Sequence, residues 1–259
     1  TPEDGTYCLL RRLFNYRFKK GNGLKGHNLG NLLLAALEDI CGNPIEAIKE
    51  ASRMLNVRGE VIPASLSDSH LHALLSDGTK LCTEHEIDTR EWSNGVSIQQ
   101  VFLKPSGVAY DRTVESILEA DMVVVGPGDL YTSILANLVV KGIGEALKLT
   151  KAKRVLVSNL MTKRSETDGF RLSHFVREIY KYIGQNSLDY IITNEERPTE
   201  ALLSLYLKTG STPVIVDREE TKLFGAQIVE RSLLSAGNLI RHDPDNLASA
   251  LMDILEGKL

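Results

Sequence analysis

Apolar positions in the first part of the chain recur at helical intervals. Leu9, Leu10, Leu13, Phe14 and Phe18 share one face of a helix predicted over Thr6–Lys20. Gly21-Asn22-Gly23, residues that tolerate positive φ, are expected to end it. Leu29–Ile40 is apolar nearly all round, which predicts a buried helix, and Ile45–Leu55 a third helix with Pro44 near its start. The period then changes. Val57–Pro63, His70–Leu75, Lys80–Glu86 and Ser97–Leu103 read as strands, with Asp77-Gly78 as a two-residue hairpin signal. Such a turn pairs Ser76 with Thr79 and sets His70 opposite His85, with His72 on the same face. Three histidines on one patch are either a solvated face that merely titrates or enough imidazole for an open zinc site.

From Asp121 onward, short apolar runs alternate with helical patterns. Asp121–Val125, Arg154–Ser158, Tyr190–Thr193 and Pro213–Val216 are predicted strands. A Gly-rich turn and helix follow the first, Leu172–Ile183 and Thr199–Lys208 are further helices, and Pro244–Leu255 closes the chain with Asp243 as its cap. This alternation means parallel β-α-β units. The expected fold is α/β, a Rossmann-like and mostly parallel sheet with helices on both faces and a small antiparallel β section. Val123, Val124, Leu156, Val157, Ile191 and Ile215 are its expected core. No linker interrupts the chain, so residues 1–259 are expected to form a single domain.

Composition narrows the class without changing the fold. A chain of 259 residues buries enough surface to fold without disulfide or metal. The net charge of −4 and the lack of a Lys/Arg run argue against a nucleic-acid partner. Three cysteines, Cys8, Cys41 and Cys82, form no C-x-x-C and read as reduced thiols of a cytoplasmic protein. No apolar run reaches the roughly 20 residues of a membrane span. Thr1-Pro2-Glu3-Asp4-Gly5 is neither a signal peptide nor a Met start, so the chain is expected to begin inside a longer gene product.

Three loops carry candidate chemistry. Gly126-Pro127-Gly128-Asp129-Leu130-Tyr131-Thr132-Ser133 joins a buried strand to a helix, an arrangement that suits a phosphorylated ligand such as a nucleotide. Free N–H groups and the helix dipole favour an anion there, Gly126 and Gly128 allow close approach, and Thr132 and Ser133 add hydroxyls. The plainer alternative is a tight turn capped by Asp129, whose carboxylate competes with a phosphate or helps hold a divalent cation beside it. Gly26-His27-Asn28-Leu29-Gly30-Asn31 sets polar groups at the mouth of an apolar helix. Asn28 is either its cap or, with His27 and Asn31, part of a ligand site. Ser158-Asn159-Leu160-Met161-Thr162 through Glu166-Thr167-Asp168-Gly169 follows a predicted strand, so it lies at the same sheet edge. Asn159 can read a base or sugar, while Thr167 and Asp168 can equally cap the next helix. No Ser/His/Asp triad, zinc-spaced Cys/His set or Walker A loop is present.

Together these stretches resemble one family. The residues that carry the resemblance are Leu13 to Phe18, Gly26 to Leu37, Val57-Arg58-Gly59, Val101-Phe102-Leu103, Gly126 to Ser133, Ser158 to Thr162 and Glu166-Thr167-Asp168. They are similar to the bacterial gluconeogenesis factors, often called YvcK-like, whose catalytic relative is 2-phospho-L-lactate transferase. The resemblance spans essentially the whole chain. It implies a Rossmann-like fold that binds a uridine diphosphate sugar and supports carbon metabolism and cell-wall growth, and thereby cell shape. It implies ligand contacts from His27, Asn28 and Asn31, from Gly126, Gly128, Asp129, Thr132 and Ser133, and from Asn159, Thr162 and Glu166. It also implies a preceding strand with a Gly-rich and an Asp-rich loop, which this chain lacks. The family commonly has Ser at Asn28, often Ser at Asp129, and Gln-Pro-Gly at Lys163-Arg164-Ser165. The leading expectation is a regulatory binding protein with no resident cofactor. The alternative is a transferase moving a phosphorylated group, for which Mg²⁺ enters with Asp129 and Asp168 as its ligand candidates. A homo-oligomer is left open.

Overall fold

The computed structural model describes residues 5–91 and 95–259, which fall into two compact units, Thr1–Leu66 and Ser67–Leu259.

The smaller unit holds three helices, α1 (Gly5–Phe14), α2 (Leu29–Cys41) and α3 (Pro44–Met54). α1 stops earlier than the periodicity predicts. After Phe14 the chain turns, and a short hairpin forms in which Arg17 bridges Asn28 and Phe18 N–H donates to His27 O (3.0 Å). Asn28 caps α2, its Oδ1 accepting from Asn31 N–H at 3.0 Å. Asn43 caps α3 in the same way. The expectation that α2 is buried is corrected: only Gly30 is buried, and Ile40 is 79% exposed. α1 and α3 each pack on part of α2, and two helices cannot cover a third that is apolar all round. Val57–Pro63 is not a strand. Asn56 (φ 48°) and Gly59 (φ 94°) both take left-handed conformations and bend the run.

The larger unit opens on a three-stranded antiparallel sheet, ordered β2 (Lys80–Leu81), β1 (His70–Leu75), β3 (Ile98–Lys104). The predicted hairpin exists, but its register differs by one. Leu75 N–H donates to Thr79 O and Gly78 takes φ 88°, so Ser76–Gly78 is a three-residue loop and Leu74 pairs with Lys80. β2 then ends at Leu81. His85 lies instead in α4 (Glu84–Asp88), where Thr83 caps the helix by accepting from Glu86 N–H. His70 faces Lys104 and His72 stacks on Phe102, so the three-histidine patch does not form.

Next come α5 (Asp111–Glu119) and a parallel sheet in the order β4 (Met122–Val125), β5 (Lys153–Val157), β6 (Tyr190–Asn194), β7 (Gln227–Arg231). The connections carry α6 (Leu135–Leu138) and α7 (Ile143–Leu149), then α8 (Leu172–Ile183), then α9 (Glu200–Lys208) and α10 (Arg218–Lys222), and α11 (Pro244–Glu256) ends the chain. Val155, Ile192 and Val229 form one core cluster with Ala250 and Ile254 of α11. Leu156 and Ile191, which alternation turns to the opposite face, are equally buried. Both faces are thus covered, as a parallel sheet requires. Two expected core positions are corrected. Val124 is 38% exposed because β4 is the edge strand. Ile215 is 58% exposed because Pro213–Val216 makes only isolated bridges, to Met161 and Arg171; the fourth strand is Gln227–Arg231. Among the described residues, no helix is long and apolar enough to cross a membrane.

Candidate functional site

Parallel strands deliver their loops to one edge, and in the larger unit the carboxyl ends of β4 and β5 bring two of the three predicted loops together. Gly126 leaves β4 with φ 86°, a conformation that an L side chain rarely adopts, and a Cβ there would sit 3.1 Å from Val157 O. Gly128 has no such backbone demand. It is small because its Cα passes close to the next turn, where a Cβ would lie 3.0 Å from Ser133 Cβ. That turn differs from the regular helix expected. Leu130–Ile134 is π-helical, with Ile134 N–H donating to Asp129 O at 2.9 Å, before α6 continues the chain. Leu130, Tyr131 and Ile134 are buried and anchor the turn. Thr132 and Ser133 face outward, half-buried and exposed, and neither hydroxyl bonds another protein group among the described residues.

β5 contributes the second wall. Asn159 Nδ2 donates to Gly128 O at 2.8 Å, tying the strand end to the glycine loop. Ser158 Oγ bonds Thr193 Oγ1 at 3.2 Å, and the Ser158 carbonyl accepts from His242 Nε2 at 3.1 Å. Burial depresses the His242 pKa, partly offset by that bond, so the ring is held neutral. Thr162 is buried and its hydroxyl is engaged with Thr212, through contacts of 3.1 Å to Oγ1 and 2.9 Å from N–H.

The chain from Lys163 to Asp168 folds back as a tight loop. Ser165 takes φ 71° and its N–H donates to Asp168 Oδ2 at 2.6 Å. This turn aims Lys163 and Glu166 at Asp129. Lys163 Nζ lies 2.7 Å from Asp129 Oδ2 and 2.6 Å from Glu166 Oε1, and it also pairs with Asp88 at the end of α4. Burial alone would lower the pKa of the ammonium. Its bonds to Asp129, Asp88 and Glu166 outweigh that and raise it above the ordinary lysine value. Glu166 is deeply buried. Burial raises its pKa, Lys163 pulls it back, the charges of Asp129 and Asp88 raise it further, and the result is about 7. One face of the glycine loop therefore meets a dense knot of charge.

Of the predicted residues, Gly126, Gly128, Asp129, Thr132, Ser133, Asn159 and Glu166 stand at this one edge of the larger unit. His27, Asn28 and Asn31 belong to the smaller unit, where His27 Nδ1 lies 3.3 Å from Leu24 O. Asp88 and Arg90, which donates to Ser165 O, were not singled out by sequence reasoning; Lys163 entered it as part of the Lys163-Arg164-Ser165 departure from the family's Gln-Pro-Gly, which adds positive charge near Asp129. The i, i+3 spacing of Lys163 and Glu166 was a further signal. Asp88 had none, lying just beyond the strand expected over Lys80–Glu86.

The family model described as 2-phospho-L-lactate transferase CofD matches residues 2–234. The chain is 40% identical over 252 residues to the gluconeogenesis factor of Halalkalibacterium halodurans, covering 96% of this chain and 76% of that protein. It is 38% identical over 250 residues to the gluconeogenesis factor of Bacillus subtilis, covering 96% and 78%. A crystal structure of a protein from Bacillus halodurans superposes with a TM-score of 0.87 at 38% identity, over 94% of this chain and 78% of that one. A second structure from the same organism, described as a member of the UPF0052 family, gives the same TM-score.

Proposed function

Since this chain belongs to the gluconeogenesis factor family, we propose that its larger unit binds a uridine diphosphate sugar and acts as a regulatory protein in carbon metabolism and cell-wall growth. The observation that carries this reading is the glycine loop itself. It leaves a parallel strand at the sheet's carboxyl edge, is fixed by Asn159, and presents two hydroxyls that satisfy no protein group. Asn159 keeps its side-chain oxygen for a ligand while its amide nitrogen positions the loop.

Calorimetric titration with UDP-N-acetylglucosamine, with and without Mg²⁺, tests the reading, combined with analysis of the mixture for new products. Saturable binding without turnover supports a regulatory role; no heat under either condition refutes it. Thr132→Ala should weaken binding by about 1 kcal/mol, roughly fivefold in Kd, the scale of one net hydrogen bond.

The transferase reading has one observation in its favour. Glu166, with a pKa near 7 beside Lys163, can take or give a proton close to neutral pH. Product formation that Glu166→Gln abolishes without loss of binding selects this second reading.

A further inference from the structure

The loops that follow β6 and β7 enclose a cavity of about 390 Å³ at the same carboxyl edge of the sheet, and nothing described so far uses it. Its volume falls within the roughly 300–1,000 Å³ of small-molecule sites. Residues 196–202, which lead from β6 into α9, form one wall, and residues 234–240, after β7, form the other. Hydrogen bonds lock these walls in place. Asn194 Oδ1 accepts from Leu233 N–H at 3.0 Å, Glu196 Oε2 from Leu234 N–H at 3.2 Å, and the Tyr206 hydroxyl from Ile240 N–H at 3.1 Å. The second wall returns through the Leu234–His242 bridge, and His242 Nε2 bonds the Ser158 carbonyl, one residue before Asn159. Cavity and glycine loop thus belong to one continuous edge.

The lining sets a few polar groups into an apolar surface. Leu202, Leu234, Leu239 and Ile240 supply the apolar part. Glu196 Oε1 and the Ser235 hydroxyl take no bond among the described residues. The Thr199 hydroxyl caps α9 by accepting from Leu202 N–H and still has its proton to donate. Arg197, the cation of the lining, is engaged with Glu200 at 3.0 Å, so the cavity is not built for a second phosphate. A nucleobase also fits poorly. None of the lining residues is aromatic, and a carboxylate set against the imide N–H of uracil would face both flanking carbonyl oxygens. A sugar fits well, because its C–H face packs on aliphatic side chains and two of its hydroxyls can donate to one carboxylate in charge-assisted bonds.

Given the ligand reading above, with the phosphates at the glycine loop, we propose that this cavity is the subsite for the sugar, and that it selects neutral sugars over uronic acids. Glu196, Thr199 and Ser235 bond the sugar hydroxyls, and the four aliphatic side chains cover the ring. Neighbouring strands lie about 4.8 Å apart, so the cavity stands roughly 10–14 Å from the glycine loop along the order β4-β5-β6-β7. Neither a phosphate nor a free monosaccharide spans that distance, but a nucleotide sugar does. Selectivity follows from Glu196. Its carboxylate accepts from neutral hydroxyls and repels a sugar that carries a carboxylate of its own.

The test is calorimetric titration of the whole 259-residue chain with UDP, UDP-N-acetylglucosamine and UDP-glucuronic acid. Wild type should bind UDP-N-acetylglucosamine roughly fivefold or more tighter than UDP, the scale of one net hydrogen bond, and UDP-glucuronic acid no tighter than UDP. Glu196→Gln keeps an acceptor for Leu234 N–H but loses the charge. It should weaken UDP-N-acetylglucosamine roughly fivefold, narrow the gap between the two sugars, and leave UDP unchanged. Ser235→Ala removes a hydroxyl that bonds nothing else among the described residues, so it should fold even if Glu196→Gln does not. It should weaken UDP-N-acetylglucosamine roughly twofold or more, again without effect on UDP. Equal affinity of wild type for UDP and UDP-N-acetylglucosamine overturns the proposal, and so does a loss in both variants that UDP shares. UDP binding with no gain from the sugar sinks the subsite alone. Failure of UDP itself to bind sinks the reading of the glycine loop, and the subsite with it.

Discussion

The closest backbone approach in the glycine loop supplies a test of how tightly that loop is built. Gly128→Ala would place a methyl carbon 3.0 Å from Ser133 Cβ, whereas carbon atoms settle at roughly 3.5–4.0 Å. Gly128 is not among the residues with positive φ, so the backbone itself accepts alanine and the cost is that contact. Relief requires the π-helical turn to retreat by about half an ångström. That turn cannot move freely, because Ser133 and Ile134 N–H both donate to Asp129 O and Tyr131 is buried beneath it. Overpacking of this kind costs about 1–3 kcal/mol. Ser133→Gly removes the offending carbon at a cost of its own of about 0.5–1 kcal/mol. In that background the nearest remaining atom to the new methyl is Ile134 Cγ1 at 3.8 Å, an ordinary contact. The two substitutions should therefore couple by about 1–2 kcal/mol, the double variant being more stable than the sum predicts. Urea unfolding followed by circular dichroism at constant m reads the cycle. Gly126→Ala is the control: its cost comes from φ 86° and Val157 O, so Ser133→Gly should leave it unchanged. Additive costs for Gly128→Ala and Ser133→Gly would refute the reasoning.

Three further outcomes follow from the same geometry. Asn159→Ala should destabilise by about 1 kcal/mol, and Asn159→Asp by more, since its carboxylate then opposes Gly128 O; an Asp variant as stable as wild type in urea would contradict this. Arg154 and Asp189 form a fork (Nη2–Oδ1 2.7 Å, Nε–Oδ2 2.9 Å) whose bonds outweigh burial and hold the Asp189 carboxyl below the usual 3.8. Asp189→Asn should cost about 1.5–3 kcal/mol at neutral pH, and the difference from wild type should shrink as pH falls below about 4, where the unfolded carboxylate takes up a proton first and the folded one only at lower pH; a difference that does not shrink between pH 4 and 2 counts against it. His242 is buried neutral, so below pH 6.5 the unfolded chain takes up a proton that the folded one resists, and stability falls as pH drops. His242→Gln keeps a donor for Ser158 O without titrating, and its melting temperature should decline less between pH 6.5 and 5; parallel curves for the two proteins would rule out His242 as the cause.

The parallel half of the fold was legible because both faces of its sheet are buried, which writes strands as unbroken apolar runs. Val155-Leu156-Val157 and Tyr190-Ile191-Ile192 are such runs. The last strand escaped for the opposite reason. Gln227-Ile228-Val229-Glu230-Arg231 is an edge strand with polar ends, and Pro213–Val216 nearby looked more like the interior. The hairpin shows a different limit. The Asp-Gly pair announces a turn, yet it fits a two-residue loop and a three-residue loop with a left-handed glycine equally well. The choice moves every pairing by one, and here it decides the fate of three histidines.

The site divides along the same line. Glycines and hydroxyls at a strand's carboxyl end are local signals, since the chemistry and the geometry lie within eight consecutive residues, Gly126 to Ser133. The charge knot is a nonlocal product. Lys163 meets Asp129 across two strand ends, and it meets Asp88 only because the antiparallel hairpin ends two residues after its turn and lets α4 form where a longer strand was expected. Glu166 was expected only as a ligand contact, through the family resemblance; what makes it unusual is burial, and burial is a property of everything folded around it. Sequence reading also weighed Asp129 as an obstacle to a phosphate. The structure gives that obstacle two companions and one lysine, so the electrostatics of the edge hinge on how far Lys163 offsets them. With the ammonium in place, Asp88 and Asp129 still leave the edge net negative, and Glu166 adds to that as it ionises near pH 7, which is adverse to any phosphate. Asp129→Asn removes one of these opposing charges, so inorganic phosphate should bind this loop more tightly in that variant than in wild type, and equal affinities in a calorimetric titration would contradict the electrostatic reading.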